Sequence, residues 1–404
     1  MKFNKNIIVF VVVMVFLLAG FTMQYYDDLK YELISFAVQN ADAAEDLPTL
    51  LSNIDEISTD KLRYHNAMMD LDSVKQRLLN TRVIKKSDTS MIVRTDCDSL
   101  IELQTERFTT ENISAIVNNI AQLQAHAQSN GAEFLYVVAP RKTNAMEVPE
   151  NVTDYRKENV AALIDELEKQ KVNTLDLCQI LDEEGRLDEN LFFRTDHHWR
   201  PEVGFWAAGE ICRDLNERYG FEYDTSCTDL SNYNITVYED SFLGSYGKKV
   251  GSYFVSGGAE DFALITPKFK TDFRVSLPRD DEVQTGSFQD AILYKQHLGE
   301  DPYQYNQYAA YINGTIPHQT IKNNLNQEDE KIFIIQDSFG CVVTPFLSLQ
   351  CSELHNVDIR DFFVGEPENV HDYIETFKPD YVILLYAGLE DLPDGCGRYN
   401  FNPS

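Results

Sequence analysis

The chain is predicted to fold as an α/β protein, a parallel sheet with helices on both faces, on three observations. From Asn112 onward, helix-length amphipathic stretches alternate with short apolar runs, the rhythm of a parallel sheet whose crossovers are helices. One such run, Lys331-Ile332-Phe333-Ile334-Ile335, feeds directly into Gln336-Asp337-Ser338-Phe339-Gly340. That puts a hydroxyl just past a strand end, where reactive groups collect in open parallel sheets. Far upstream, Arg194-Thr195-Asp196-His197-His198-Trp199 sets a carboxylate and an imidazole two residues apart beside a large aromatic, a run that can form half of a hydrolytic triad.

With 404 residues and 43% hydrophobic content, the chain can bury a large core. Its 35 basic and 65 acidic residues give a formal net charge of -30, which repels nucleic acid and anionic lipid in the absence of a basic block. Met1 to Asn6 carries Lys2 and Lys5, and Ile7 to Met23 is apolar and uncharged, enough helix to cross most of a bilayer core. Residues 1–24 are therefore expected to be an uncleaved membrane anchor, with a cleaved signal peptide as the alternative. Lysines before the span and Asp27 and Asp28 after it put the remainder of the chain outside the cytoplasm. Seven cysteines, Cys97, Cys178, Cys212, Cys227, Cys341, Cys351 and Cys396, include no CxxC pair, so neither a zinc ribbon nor a thioredoxin-like motif is present. One or two disulfides are compatible with that number, as are free buried thiols.

Residues 25–81 read as a stem of short amphipathic helices, with Leu47, Leu50, Leu51, Ile54, Leu62, Met68, Met69, Leu71 and Leu78 as its apolar positions. The domain that follows, 82–404, opens on a hairpin, Met91 to Arg94 and Leu100 to Leu103 around Asp96-Cys97-Asp98-Ser99. A helix from Ile113 to Gln128 leads to a strand at Phe134 to Ala139, and a helix from Tyr155 to Lys169 leads to a short strand at Val172 to Leu177. Pro201, favoured in a first helical turn, opens the next helix through Phe205, Trp206, Ala207 and Ile211. From about 220 to 330 the rhythm stops among Tyr, Gly, Asp and Asn residues, which reads as an insertion. In it, Gly244 and Gly247 of Phe242-Leu243-Gly244-Ser245-Tyr246-Gly247 mark turns without a phosphate-loop spacing, and no cofactor is expected. After the strand at 331–335 come a helix beyond Phe339, a strand at His355 to Ile359, a helix from Val370 to Phe377 and a last strand from Tyr381 to Tyr386.

A serine hydroxyl needs a base within hydrogen-bond reach and a group that orients the base. Ser338 is the candidate nucleophile, and its N–H at a helix start could serve an oxyanion; Asp337 or Ser338 could equally act as a plain helix cap. Asp196 and His198, two apart in an extended loop, project to the same side, so His198 is the candidate base, oriented by Asp196. His197 is expected to point elsewhere. Two histidines and an aspartate could also ligate a metal, but no third-ligand motif accompanies them and none is expected.

The Thr195-Asp196-His197-His198-Trp199 run resembles the signature of the DHHW proteins, which stand with the alginate O-acetyltransferase-like members of the SGNH hydrolase superfamily. Gln336-Asp337-Ser338-Phe339 is similar to the superfamily's Gly-Asp-Ser motif, with Gln336 in place of Gly. Ala139-Pro140-Arg141-Lys142 followed by Val148-Pro149-Glu150 is similar to the family's segment after a strand. The resemblance covers roughly 82–404. It implies an SGNH-like, flavodoxin-like sheet with a circularly rearranged triad order, in which Asp196, His198 and Ser338 are catalytic and Trp199 and His197 support them. Tyr386, Gly388, Arg360 and Lys142 are expected as oxyanion or substrate contacts. The implied activity is an extracytoplasmic O-acetyltransferase or acetylesterase on a cell-surface or secreted polysaccharide, partnered by a polytopic membrane acyltransferase that delivers acetyl groups. A glycan-binding or assembly subunit without turnover is the alternative.

Overall fold

The computed structural model describes residues 65–86, 90–278, 282–362, 369–387 and 397–401. The expected anchor and residues 25–64 of the expected stem lie outside them, as do Gly388 and Cys396. Among the described residues no helix is long and apolar enough to cross a membrane. The chain divides into two compact units, 1–75 and 76–404. Helix α1, His65–Leu78, supplies the described part of the first.

The second unit opens with β1 (Val83–Lys85), β2 (Met91–Arg94) and β3 (Leu100–Glu102), an antiparallel sheet in which Ile92 faces Glu102. The expected hairpin is its second half. Helix α2 (Thr110–Ser129) starts where Thr109 and Asn112 cap each other, and it buries Ile113, Ile116, Val117, Ile120 and Leu123, the spacing of one helical face. Then follow β4 (Glu133–Val138), the short α3 (Lys142–Ala145), α4 (Arg156–Lys169), β5 (Thr174–Asp176), α5 (Leu177–Glu183) and α6 (Pro201–Tyr219).

Residues 220–330 hold β6 (Tyr233–Phe242), α7 (Ser245–Val250), β7 (Glu260–Pro267), β8 (Phe273–Leu277), β9 (Glu282–Gly286) and β10 (His318–Asn323). The remainder is β11 (Lys331–Gln336), α8 (Thr344–Leu347), β12 (Glu353–Val357), α9 (Ile359–Phe362), α10 (Val370–Phe377) and β13 (Tyr381–Tyr386). The main sheet has the order β5-β4-β13-β11-β12-β10-β8-β9. Its first five strands are parallel, and its last three join antiparallel. The expected parallel sheet is thus present but extended by strands of the expected insertion, β10 covering the backbone edge that β12 would otherwise leave open and β8 and β9 continuing from it.

Alternation along the central strands builds a core on each face. Leu135, Val137, Ile332, Ile334, Ile383 and Leu385 pack with Val203, Ala207, Ile211 and Leu215 of α6. Phe134, Tyr136, Phe333, Ile335, Val382 and Leu384 pack with α2, α4 and α10. Two details differ from the sequence reading. Beyond Ser338 the chain forms a tight 3-10 turn, Ser338–Val342, before α8. The strand expected at His355 to Ile359 runs from Glu353 to Val357, and Ile359 opens α9. All six described cysteines are free, so no disulfide joins them.

Gly204 explains how two remote segments meet. A Cβ there would overlap Val342, the last residue of the Ser338 turn, so glycine lets the first turn of α6 lie directly on that turn. The loop immediately before α6 carries Asp196 and His198.

Candidate active site

The loop closes on itself through an antiparallel bridge between Phe192 and Trp199. Phe193 N donates to the His198 carbonyl at 3.2 Å and Arg200 N to the Leu191 carbonyl at 2.9 Å. Residues 194–198 are a turn and bend, not the extended loop expected from the sequence, yet the turn brings the same two side chains together. Asp196 Oδ1 accepts His198 N at 2.9 Å and meets His198 Nδ1 at 2.5 Å. A carboxylate only accepts, so it selects the tautomer with the proton on Nδ1. The other ring atom, Nε2, is then free to accept from Ser338 Oγ at 2.6 Å.

Burial would raise the Asp196 carboxyl, but the His197 and His198 imidazoles and the His198 hydrogen bonds hold it well below its ordinary value. Its second oxygen accepts Ser245 N at 2.5 Å. A Cβ at Gly244 would overlap the Asp196 side chain, so the glycine read as a turn marker is what lets α7 approach. His197 does not point away. Its Nδ1 lies 3.2 Å from Asp196 Oδ1 and 3.0 Å from Ser245 Oγ, and its ring sits 3.7 Å from that of His198, because the tight turn presents both imidazoles to one carboxylate.

Ser338 is set by its own neighbours. Asp337 Oδ1 accepts Phe339 N at 3.0 Å, Oδ2 accepts Ala387 N at 3.0 Å, and Gly340 N donates to the Asp337 carbonyl at 3.0 Å. The Ser338 amide donates to nothing among the described residues and can serve an oxyanion. Gln336 needs no glycine at its own position. It folds its side chain under the turn to accept from the Thr344 hydroxyl, in space left by Gly340, where a Cβ would overlap it.

Trp199 is fully buried and meets Phe339 edge-on at 5.4 Å. Lys142 is a correction. Its Nζ is buried among the carbonyls of Leu100 (2.6 Å), Phe193 (2.7 Å), Asp196 (2.9 Å) and Arg194 (3.1 Å), so it grips the loop instead of facing substrate. Burial pulls its ammonium down to about 7 against Glu260 and Asp196, which raise it. Tyr386 is buried and donates to the Arg398 carbonyl at 3.1 Å, so it is not offered to a substrate, whereas Arg360 clasps Asp358 with its side chain still partly exposed. Gly388 lies outside the described residues.

Besides Ser245, two residues of the site escaped the sequence reading. Tyr308 stacks on the His198 ring at 4.2 Å and 20°, and Glu260 holds the backbone at Arg194 and Thr195. Neither sits in a recognisable motif. Asp196, His197 and His198 also form the one group among the described residues whose potential metal-ligand atoms lie within 4.8 Å of one another. The Nδ1 atoms of both rings are already engaged with Asp196.

Residues 101–226 match the family model described as SGNH hydrolase-like domain, acetyltransferase AlgX, a span that includes the Thr195–Trp199 motif. Bacillus cereus PatB1, solved with a sulfonyl adduct, is similar in fold at 19% identity and a TM-score of 0.62, covering 80% of this chain and 99% of its own. A DHHW family protein from Eubacterium siraeum is similar at 19% identity and a TM-score of 0.54, covering 76% and 93%. No curated protein sequence matches the chain. The resemblance to the SGNH-like, DHHW-bearing proteins therefore stands, and the fold is SGNH-like.

Proposed function

We propose that this chain is an extracytoplasmic O-acetyltransferase or acetylesterase acting on a cell-surface or secreted polysaccharide through Ser338, His198 and Asp196. Ser338 Oγ attacks the acyl carbonyl while its proton passes to His198 Nε2, and the Ser338 amide faces the developing oxyanion. His198 then returns the proton to the leaving group, and an acyl-serine forms. An acceptor hydroxyl gives its proton to His198 as it attacks the acyl carbonyl, and Ser338 leaves as the restored hydroxyl. A sugar acceptor makes the reaction a transfer and water makes it a hydrolysis. The observation that carries the reading is the continuous chain from Asp196 through His198 to Ser338, at 2.5 and 2.6 Å. The family described for residues 101–226 is an acetyltransferase one, which favours acetyl as the group moved. An anchor at 1–24 would hold the domain beside a polytopic membrane acyltransferase as donor.

Release of p-nitrophenol from p-nitrophenyl acetate tests the reading. The protein is expected to turn the ester over, and Ser338→Ala and His198→Ala are each expected to stop it. Turnover should survive chelators, since no step uses a metal. A folded parent inert toward every acetyl donor tried contradicts the reading and points to a glycan-binding subunit.

A further inference from the structure

The proposed acyl transfer needs the loop of Asp196 and His198 held to a fraction of an ångström, and the loop's two cross-links at its neck do not reach its tip. Two buried charges do. Lys142 meets the carbonyls of Phe193, Arg194 and Asp196 from one side. From the other, Glu260, the first residue of β7 and only 4% exposed, accepts Arg194 N at 2.9 Å on Oε1. Its Oε2 accepts Thr195 N and Thr195 Oγ1, both at 2.8 Å. Arg200 Nη2 reaches Oε1 at 3.1 Å.

Consecutive amides therefore face an anion while carbonyls of the same peptide units face a cation, which orients the peptide planes on both sides of Arg194. The effect passes onward. Thr195 Oγ1 accepts Gly244 N at 3.0 Å, and the next residue, Ser245, holds Asp196 Oδ2 through its amide. A buried carboxylate is costly to keep unless its charge is used. Here it is used, since both oxygens serve as acceptors where a neutral amide would offer only one.

Resting on the acyl-transfer reading, we propose that Glu260 is a positioning residue, fixing the backbone of Arg194 and Thr195 so that Asp196 and His198 face Ser338. It touches no reacting atom and acts through the loop. Glu260→Gln keeps the shape but aims an NH2 group at a backbone donor.

The test measures kcat, KM and Tm on the whole protein for Glu260→Gln, for Thr195→Val, and for Leu163→Ala in the core on the far face as a control for lost stability. Crystal structures of the two loop variants accompany the kinetics. Expected for Glu260→Gln is a roughly 10- to 100-fold fall in kcat with KM within about twofold, and a His198 ring displaced from Ser338. Thr195→Val, which removes one of the three loop bonds to Glu260 together with the bond from Gly244 N, should fall between this variant and the parent and serves if Glu260→Gln fails to fold. Leu163→Ala should lower Tm with kcat kept. The proposal is overturned if kcat is retained in both loop variants, or if their structures keep His198 on Ser338. If the parent transfers no acyl group while the variant loops are displaced, the acyl reading fails and the positioning role stands.

Discussion

The turn that carries Ser338 is closed by its own chain neighbours, whereas the loop that carries Asp196 and His198 takes its shape from residues 48 to 66 positions away. On the nucleophile side, Asp337 caps the turn, Gln336 lies beneath it and Gly340 makes room; distant ties, Ala387 N and Arg398 on the Asp337 carboxylate, only add to this. On the base side, Gly244, Ser245 and Glu260, together with Lys142, supply what the loop lacks. The two parts meet because Gly204 brings α6 onto the turn. A strand-end turn can be encoded locally. An imidazole and a carboxylate on an irregular loop cannot, since nothing in their own backbone pattern fixes where they point.

Removing either reacting group should erase the contrast. Ser338→Ala and His198→Ala are each expected to lower kcat by on the order of 10³ to 10⁶, and the double variant by no more than the worse single one, because the groups act as a unit. Steady-state kinetics on all three, with Tm unchanged within a few degrees, checks this. Equal additive losses would show that the two parts work independently.

Gly244→Ala then strikes the base side alone. Its Cβ must displace Asp196, which should lower kcat by tens of fold while overpacking takes about 1–3 kcal/mol from stability. Gly340→Ala carries a similar stability cost but acts on the turn by pushing Gln336. Denaturant melts beside kinetics on the pair tell the two routes apart, since only Gly244→Ala should leave Ser338 in place.

That pair also marks how far the sequence could be read. The strand from Lys331 into Ser338 and the Asp196–His198 spacing were legible, because each lies within a few residues and carries a recognisable pattern. Glu260 and Tyr308 were not, since a lone Glu at a strand start and a Tyr in a turn-rich stretch show nothing of what they touch. Lys142 was seen and misassigned for the same reason: a lysine after a strand reads as a reaching cation, and only burial among four carbonyls reveals a clamp. The eight-stranded sheet was half legible. The apolar parallel strands announce themselves, while β8, β9 and β10, with exposed residues at alternate positions or on one face, resemble loop.

A gentler change on the base side is Tyr308→Leu, which removes the ring stacked on His198. Aromatic pairing contributes about 0.5–1.5 kcal/mol, so a few-fold loss in kcat is expected, with the fold retained by circular dichroism. Smallest is the effect of acid. Because Asp196 is held below its ordinary value of 3.8, the stability it contributes is fully present above that pH and is lost as pH falls through the folded value. The Tm difference between the parent and Asp196→Asn should therefore be level above pH 3.8 and shrink below it. A difference that grew in acid would reverse the sign and place the charge elsewhere.

The most direct measurement is to trap the acyl group: mix the protein with an acetyl donor, quench in acid and map the modified peptide by mass spectrometry. The account predicts acetyl on Ser338 in the parent and none in His198→Ala. Acetyl on another residue, or an active parent in which Ser338 never carries it, would contradict the account.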